Sequence, residues 1–309
     1  MSDIIVASEA ELENDSELLQ SIMDALRSGN RNDIIEILDP SHSELEEPQR
    51  NEILRERYHD QLIKDGLSTG HFIIDDSGRI RIAIQQPLHT IVGYVFEAYA
   101  VRKFNDQKKT VGKNAYLWAT EMQRIHSYER LEKTHAIGTG FPEAKEKYPQ
   151  LYNPTNRRFD IIFYRANENR NVPEPVPIKD TTIPAGIQVK AVKGNEKSQI
   201  IDPILDGTYR RVVTFLEHDS GMHSYDACLN TAREMRSKDE ISHDELINVE
   251  DAVRSPAQLG LDQYDVDRYY DYIKAWHNER VEADDLILGG IGTQIKESTR
   301  GESLITSLN

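Results

Sequence analysis

The sequence predicts an α/β domain, of the α+β kind, in which helices flank a central mixed sheet of four or more strands. Three mostly apolar segments are strand-like: 158–164, 186–192 and 211–217. A segment with a wide apolar stripe at helical spacing precedes them. Its apolar positions are Val92, Val95, Phe96, Tyr99, Ala100 and Phe104. Helical regions are predicted on both sides of this core.

Residues 1–86 are predicted to form an acidic accessory region. Apolar residues recur at helical spacing over 8–28, and a shorter helix is expected over 32–38. The second half of 43–64 is also predicted to be helical. Two apolar runs separated by Asp-Asp-Ser-Gly predict a β-hairpin over 72–84.

The predicted core covers 87–235. After the striped helix, a less regular stretch contains a helix predicted over 115–133. The proline-containing stretch 167–184 suits an exposed loop between two strands. A turn at 193–195 and a short helix over 200–205 lead to the third strand.

Residues 236–309 are predicted to form an acidic helical region with a mobile polar tail after residue 292. Helices are expected over 224–237, which closes the core, and over 242–254. A tyrosine-rich helix is expected over 262–279, where helical spacing favours packing over base stacking.

Composition limits the class of protein. The chain has 309 residues, 38% of them hydrophobic, which suffices for a sizeable core. Its single cysteine, Cys228, excludes an intramolecular disulfide framework and fits a reducing cytoplasm. The acidic start predicts no secretory signal, and no apolar run reaches the ~18–20 residues of a membrane span.

Charge is unevenly distributed. The net charge is −16, but residues 87–170 hold 14 basic and 9 acidic residues, a net charge of +5. The segments 1–86 and 236–309 carry net charges of −11 and −8. Because the local field matters more to a polyanion than total charge, the basic segment is compatible with nucleic acid. The acidic flanks are either solvated faces or docking surfaces for a protein partner.

A compact polar cluster is expected between two of the strands. Gln188 and Lys190 are two apart and therefore project from the same face of one strand, and Asp160 lies in the strand before it. Burying an amide without a partner costs about 2–7 kcal/mol, and burying a charge costs more. A metal ion with a phosphate is one candidate that would offset this cost.

The ordered set of Glu97 on a helix, Asp160 on a strand and Gln188-x-Lys190 on the next strand resembles the PD-(D/E)XK nuclease superfamily. The Gln-x-Lys form, with Gly93-Tyr94-Val95-Phe96-Glu97 on the preceding helix, is similar to the Mrr-type restriction endonuclease branch. The resemblance covers 87–220. It implies a restriction-endonuclease-like core and a metal-dependent endonuclease that acts on DNA, in restriction or anti-phage defence.

The resemblance also implies roles for particular residues. Asp160, Glu97 and Gln188 would hold Mg²⁺ or Mn²⁺, and Lys190 would stabilise negative charge at the scissile phosphate. Further basic side chains would contact DNA phosphates: Arg157, Arg158, Lys108, Lys109, Lys113 and Lys193.

Several alternatives remain open at this stage. The second hypothesis is a non-catalytic binding or assembly subunit that keeps a nuclease-like fold, because Gln188 replaces the commoner carboxylate. An RNA substrate is less favoured, since no RNA-binding module is recognisable. A homo-oligomer is compatible with the sequence, and no membrane partner is expected. Glu217, His218, Asp219, His223 and Asp226 have the composition of a metal cluster, but a polar turn is favoured.

Overall fold

A computed structural model describes residues 47–74, 80–82, 87–167, 172–218 and 220–286. The chain divides into two compact units, residues 1–57 and 58–309, and all contacts given below lie within the second. The helices expected over 8–28 and 32–38, and the tail after residue 292, lie outside the described residues. No helix in the described part is both long enough and apolar enough to cross a membrane.

Helices account for most of the described chain. In chain order they are α1 (Glu47–Thr69), α2 (Leu88–Asp106), α3 (Lys113–Thr120), α4 (Tyr128–Glu132), α5 (Pro142–Lys147), α6 (Asp202–Leu205), α7 (Ser224–Ser237), α8 (His243–Ala252), α9 (Pro256–Leu259) and α10 (Gln263–Leu286). Two π-helical segments, Lys108–Gly112 and Lys197–Ile201, run directly into α3 and α6. The helices expected over 200–205, 224–237 and 262–279 are therefore confirmed in position. The helix expected over 242–254 is confirmed as far as Ala252, after which residues 253 and 254 form a strand.

The strands form a hairpin and a larger mixed sheet. The hairpin pairs β1 (Phe72–Ile74) with β2 (Ile80–Ile82), as predicted. The larger sheet contains β3 (Thr134–Gly138), β4 (Ile161–Asn167), β5 (Val172–Pro175), β6 (Gly186–Lys190), β7 (Val212–Thr214) and β8 (Val253–Arg254). Its order is β3-β4-β6-β7-β8, with β5 also paired to β4. The strands β3 to β6 pair antiparallel and β6 to β8 pair parallel, so the predicted central mixed sheet is confirmed.

Helices cover the sheet, as the sequence predicts. Val212 of β7 packs in an apolar cluster with Ala232 of α7 and Val249 of α8. Helix α2 packs against the sheet through aromatic pairs, among them Phe104 against Phe163 of β4, with ring centroids 6.1 Å apart. Burial of these apolar side chains supplies the main stabilisation of the layer arrangement.

Helix α2 is also fastened by a buried polar network. Arg102 donates to both carboxylate oxygens of Asp65, at 3.0 and 2.9 Å, and the Tyr269 hydroxyl donates to the same carboxylate at 3.0 Å. Asp65 is almost fully buried, and these bonds offset part of the desolvation of its charge, while burial still raises its pKa. The network ties α1 and α10 to α2, the helix that carries Glu97.

Two sequence-based predictions in the core are wrong in detail, and one strand was missed. The stretch 167–184 is not simply an exposed loop, because β5 lies within it and Val176 and Ile178 are buried. The helix expected over 115–133 ends at Thr120, where Glu121 takes a left-handed conformation (φ 58°), and helix resumes only at Tyr128. Strand β3 was not expected at all.

Candidate active site

Asp160 lies at a fork between two strands. β4 and β6 pair only through Ile161 with Ile187 and Ile162 with Gly186, and β6 then continues beside β7. Beyond the fork, the Val189 amide has no partner on β4 and donates instead to Asp160 Oδ2 at 2.8 Å. A buried backbone N–H needs an acceptor, so the fork itself holds the Asp160 carboxylate in place.

Gln188 completes the orientation of this carboxylate. Its side-chain Nε2 donates to the same Oδ2 atom of Asp160 at 2.6 Å. Its other amide atom, Oε1, is buried and accepts no hydrogen bond within the part of the chain that the structure describes. An unsatisfied buried acceptor costs about 1–3 kcal/mol, so Oε1 is a position where a bound cation would be favourable.

Glu97 approaches from α2. Its carboxyl is close enough to Asp160 for the two charges to interact, and burial followed by the charge of Asp160 raises the pKa of Glu97 well above its usual range. Tyr94, one helical turn earlier, shares this surrounding: burial, then Glu97 and then Asp160 raise the pKa of its hydroxyl. The helix therefore brings a second carboxyl and a phenol to the fork.

Lys190 supplies the positive charge of the cluster. It ends β6, and its ammonium lies 4.8 Å from the centre of the Tyr209 ring, a cation–π contact. Its charge lowers the pKa of both Glu97 and Asp160, but burial outweighs this effect. Burial raises the pKa of Asp160 to about 6, against hydrogen bonds from Val189 and Gln188 and the charge of Lys190, which lower it. The structure thus brings the four predicted catalytic residues together.

The donor atoms suit a hard divalent cation. Magnesium prefers oxygen ligands and needs only one or two protein carboxylates, with water and phosphate oxygens completing its shell. Asp160 Oδ1 and the buried Oε1 of Gln188 accept no hydrogen bond from any described residue, and the Glu97 carboxyl is close enough to Asp160 for the two charges to interact. The candidate ligand set formed by Asp160, Glu97 and Gln188 has two carboxylates and one amide. The described residues contain no group of three or more His, Cys, Asp or Glu that is suited to a metal.

The basic residues predicted to contact DNA fall into two places. Arg157 and Arg158 are exposed on the loop directly before Asp160. Lys193 lies just after β6, with its ammonium 5.0 Å from the Tyr270 ring centre. These three residues are therefore close in sequence to the residues that form the fork.

Lys108 lies elsewhere. Its ammonium donates to the Glu132 carbonyl and lies 3.4 Å from His135 Nδ1. His135 pairs with Tyr164, four residues along β4 from Asp160, which at about 3.3 Å per residue is roughly 13 Å from the fork. Lys108 therefore lies near the other end of β4. Lys109 follows it in the same π-helical segment, and Lys113 begins α3.

Sequence reasoning missed three aromatic residues at the site: Tyr94, Tyr209 and His71. Tyr94 stands three residues before Glu97, a spacing that places both on one helical face and could have indicated it. His71 stacks on Tyr94 with ring centroids 3.7 Å apart. Tyr209 lies in a loop and reaches Lys190 only through the fold, so no local pattern signals it.

The acidic and histidine-containing segment after β7 forms a turn, as favoured. Glu217 and His223 pair as an isolated bridge, and Gly221 adopts a positive φ of 79° between them. His218 Nε2 lies 2.8 Å from Glu196 Oε1, and His223 Nε2 lies 3.9 Å from Asp267.

Comparison of the chain with protein-family models, with curated proteins and with solved structures gives no match. The chemical function of the site is therefore inferred from the geometry of its residues alone.

The raised pKa of Asp160 predicts a cost in stability that depends on pH. The folded chain keeps this proton up to about pH 6, whereas an unfolded aspartate loses it near 3.8, so the free energy of unfolding should fall as pH rises between these values. With a chelator present at pH 7.5, Asp160→Asn should raise the free energy of unfolding by on the order of 2 kcal/mol, measured by urea denaturation. Near pH 4 the gain should vanish.

The exposed Asp106 provides the matched control. Asp106→Asn also removes a carboxylate but lies outside the cluster, and its effect should be small at both pH values. A gain from Asp160→Asn that is equal at pH 4 and pH 7.5 would attribute the effect to packing rather than to the buried charge.

Proposed function

We propose that this protein is a metal-dependent endonuclease that hydrolyses phosphodiester bonds in DNA, built on a restriction-endonuclease-like core. The observation that carries the proposal is the buried, unpartnered Oε1 of Gln188 beside a carboxylate whose Oδ1 is also free of hydrogen bonds from described residues. Such an arrangement is costly on its own and favourable around a cation.

Mg²⁺ or Mn²⁺, held by Asp160, Glu97 and Gln188, would supply charge neutralisation at the phosphoryl oxygens and a lowered pKa for the attacking water. The protein's own part is positional. The Val189 amide and Gln188 Nε2 both bind Asp160 Oδ2, which leaves Oδ1 without a hydrogen bond from the described residues. Because Gln188 Nε2 faces Asp160 Oδ2, Gln188 Oε1 is directed away from that oxygen.

Lys190 would stabilise negative charge that develops on the phosphate. A preorganised cation in a water-poor site contributes more than one in bulk water, because it needs no reorganisation during the reaction. The Tyr209 ring under the ammonium limits its freedom. Arg157 and Arg158, exposed beside Asp160, are placed to bind the neighbouring DNA backbone, and Lys193 is a further candidate.

The order of Glu97, Asp160, Gln188 and Lys190, with its likeness to Mrr-type enzymes, supports a role in cytoplasmic restriction or anti-phage defence. A partner protein on the acidic flanks and a homo-oligomer are compatible additions. The second candidate, a non-catalytic assembly subunit, is favoured by the small donor set, since two carboxylates and an amide are fewer charges than many metal sites use.

Metal-dependent cleavage tests the proposal directly. The purified protein is incubated with supercoiled and with linear DNA, in Mg²⁺, in Mn²⁺ and in EDTA. Cutting in either metal and none in EDTA is the expected result. Equal products with and without EDTA, or intact DNA in every condition, would favour the non-catalytic subunit.

Metal binding should also be visible without cleavage. A ligand that binds only the folded state at about 100 times its Kd stabilises it by about 2.7 kcal/mol, so Mg²⁺ should raise the melting temperature of the protein. Asp160→Asn should lose most of this rise, because it removes one of the two carboxylate charges. Asp106→Asn should keep it. A rise of the same size in all three proteins would place the bound metal away from the fork.

A further inference from the structure

A cavity of about 520 Å³ lies beside the candidate active site. This volume is within the ~300–1,000 Å³ typical of small-molecule sites. Its lining combines arginines, aromatic rings and amide or carboxylate groups, which include Arg158, Phe159, Tyr209, Arg210 and Asn248. The cavity is therefore neither a purely apolar hole nor a plain electropositive surface.

The cavity shares its walls with the catalytic cluster. Phe159 directly precedes Asp160 in the chain, and Tyr209 is the ring under the Lys190 ammonium. Gly186, two residues before Gln188, also lines it, and a side chain there would collide with Phe159, whose Cγ lies 2.6 Å from an added Cβ. The glycine thus allows Phe159 to lie against the fork.

Three arginines line the cavity against two carboxylates, Glu121 and Asp251, so its lining has a net charge of +1, which favours an anionic ligand. Arg211 is fixed, since its Nε donates to the Trp118 carbonyl at 2.9 Å and it pairs with Glu121 at 3.2 Å. Arg210 lies at a looser 3.8 Å from Glu121 and is about half exposed. Arg158 is exposed and forms no ion pair with any residue that the structure describes. Two arginines therefore remain accessible at the mouth of the cavity.

We propose that this cavity binds one unpaired nucleotide of the DNA substrate, next to the phosphate that is cleaved. This inference rests on the proposed nuclease function and adds a substrate feature to it. An extruded nucleotide would place its base against the Phe159 and Tyr209 rings, with its phosphate near Arg158 and Arg210. Asn248, exposed on α8, carries the amide donor and acceptor needed at a base edge.

The preference for an unpaired nucleotide follows from the free energy needed to extrude a base from a duplex. Extruding a base from a duplex loses its pairing and stacking, and this loss is smallest where the base has no partner. Stacking on protein aromatics is worth about tenfold or more in affinity per base. Duplexes with a single bulged nucleotide should therefore bind about tenfold more tightly than fully paired duplexes of the same length.

Fluorescence of 2-aminopurine tests this binding apart from cleavage. Duplexes that carry 2-aminopurine either bulged or paired are titrated with protein in EDTA, where no cutting is expected. The bulged probe should bind about tenfold more tightly and change its fluorescence on binding. Arg210→Ala and Asn248→Leu should each reduce this preference, and melting curves would verify that both fold. Arg124→Ala, an exposed arginine outside the cavity, should keep it.

The outcomes separate the two proposals. Equal affinity for both probes with unchanged fluorescence overturns the nucleotide pocket, even if paired DNA is still cut with Mg²⁺. A preference for the bulged probe that is lost in Arg210→Ala and Asn248→Leu supports the pocket, even if no DNA is cut with any metal. A preference unchanged in both variants would overturn the assignment to this cavity.

Discussion

Asp160→Ala should leave plasmid DNA intact under conditions in which the unmodified protein cuts it with Mg²⁺. The substitution removes the carboxylate that the fork orients, which is the first metal ligand in the proposed mechanism. Metal charge stabilisation contributes several kcal/mol to such transition states, so the cleavage rate should fall on the order of 10³-fold or more. Initial rates on supercoiled DNA measure this loss.

Loss of folding would give the same plasmid result, so two controls accompany it. Asp160→Asn keeps the shape of the side chain and an oxygen acceptor for the Val189 amide, and should be equally inactive while melting at or above the temperature of the unmodified protein. Asp106→Ala, at an exposed position, should cut normally. Normal cutting by Asp160→Ala would make the site assignment wrong.

Within the larger sheet, the strands that the sequence could predict are those buried on both faces. β4, β6 and β7 are runs of apolar residues, and such runs remain recognisable wherever they occur. β3 reads Thr-His-Ala-Ile-Gly, a short run with neither a clear alternation nor an apolar majority. It becomes a strand because β4 offers it a complete antiparallel register, from Thr134 with Arg165 to Gly138 with Ile161. Tertiary pairing decides such a segment, and local pattern does not.

Proline misled the interpretation of β5 for a related reason. Val-Pro-Glu-Pro has few backbone donors, which argues against a central strand. β5 pairs only with β4, so its prolines interrupt no second ladder. A strand at the edge of a sheet tolerates prolines, which lack a backbone N–H donor, whereas a central strand does not. The sequence does not indicate which of the two positions a segment will occupy.

At the candidate site, the sequence indicated which residues come together, but it did not indicate the hydrogen bonds between them. The order of Glu97, Asp160, Gln188 and Lys190 is visible in the chain. The bond from Gln188 to Asp160 depends on β6 leaving β4 after Ile187, which is a property of strand pairing. The basic segment 87–170 shows the same limit, because Arg157 and Arg158 lie beside Asp160 whereas Lys108 lies at the other end of β4. A charge count along the chain cannot separate these two groups.

Lys190→Ala should lower turnover far more than DNA affinity. Removing one preorganised group that stabilises transition-state charge typically costs about 10²–10³-fold in kcat, and a similar loss is expected here. Lys190 is also a minor part of the total positive charge that DNA meets, so the Kd for DNA should change little. Single-turnover cleavage and equilibrium binding in Ca²⁺ measure the two quantities separately.

The pH profile distinguishes this role from a structural one. The charge of Lys190 lowers the pKa of Asp160 and of Glu97, so its removal should raise both. If cleavage requires these carboxyls to be ionised, the acid limb of the rate profile should move to higher pH in Lys190→Ala and return toward its original position in Lys190→Arg. Lys145→Ala, which removes an exposed charge from the same basic segment, should weaken DNA binding slightly and leave the acid limb in place. A defect in Lys190→Ala confined to binding, with an unmoved acid limb, would reduce Lys190 to a phosphate contact.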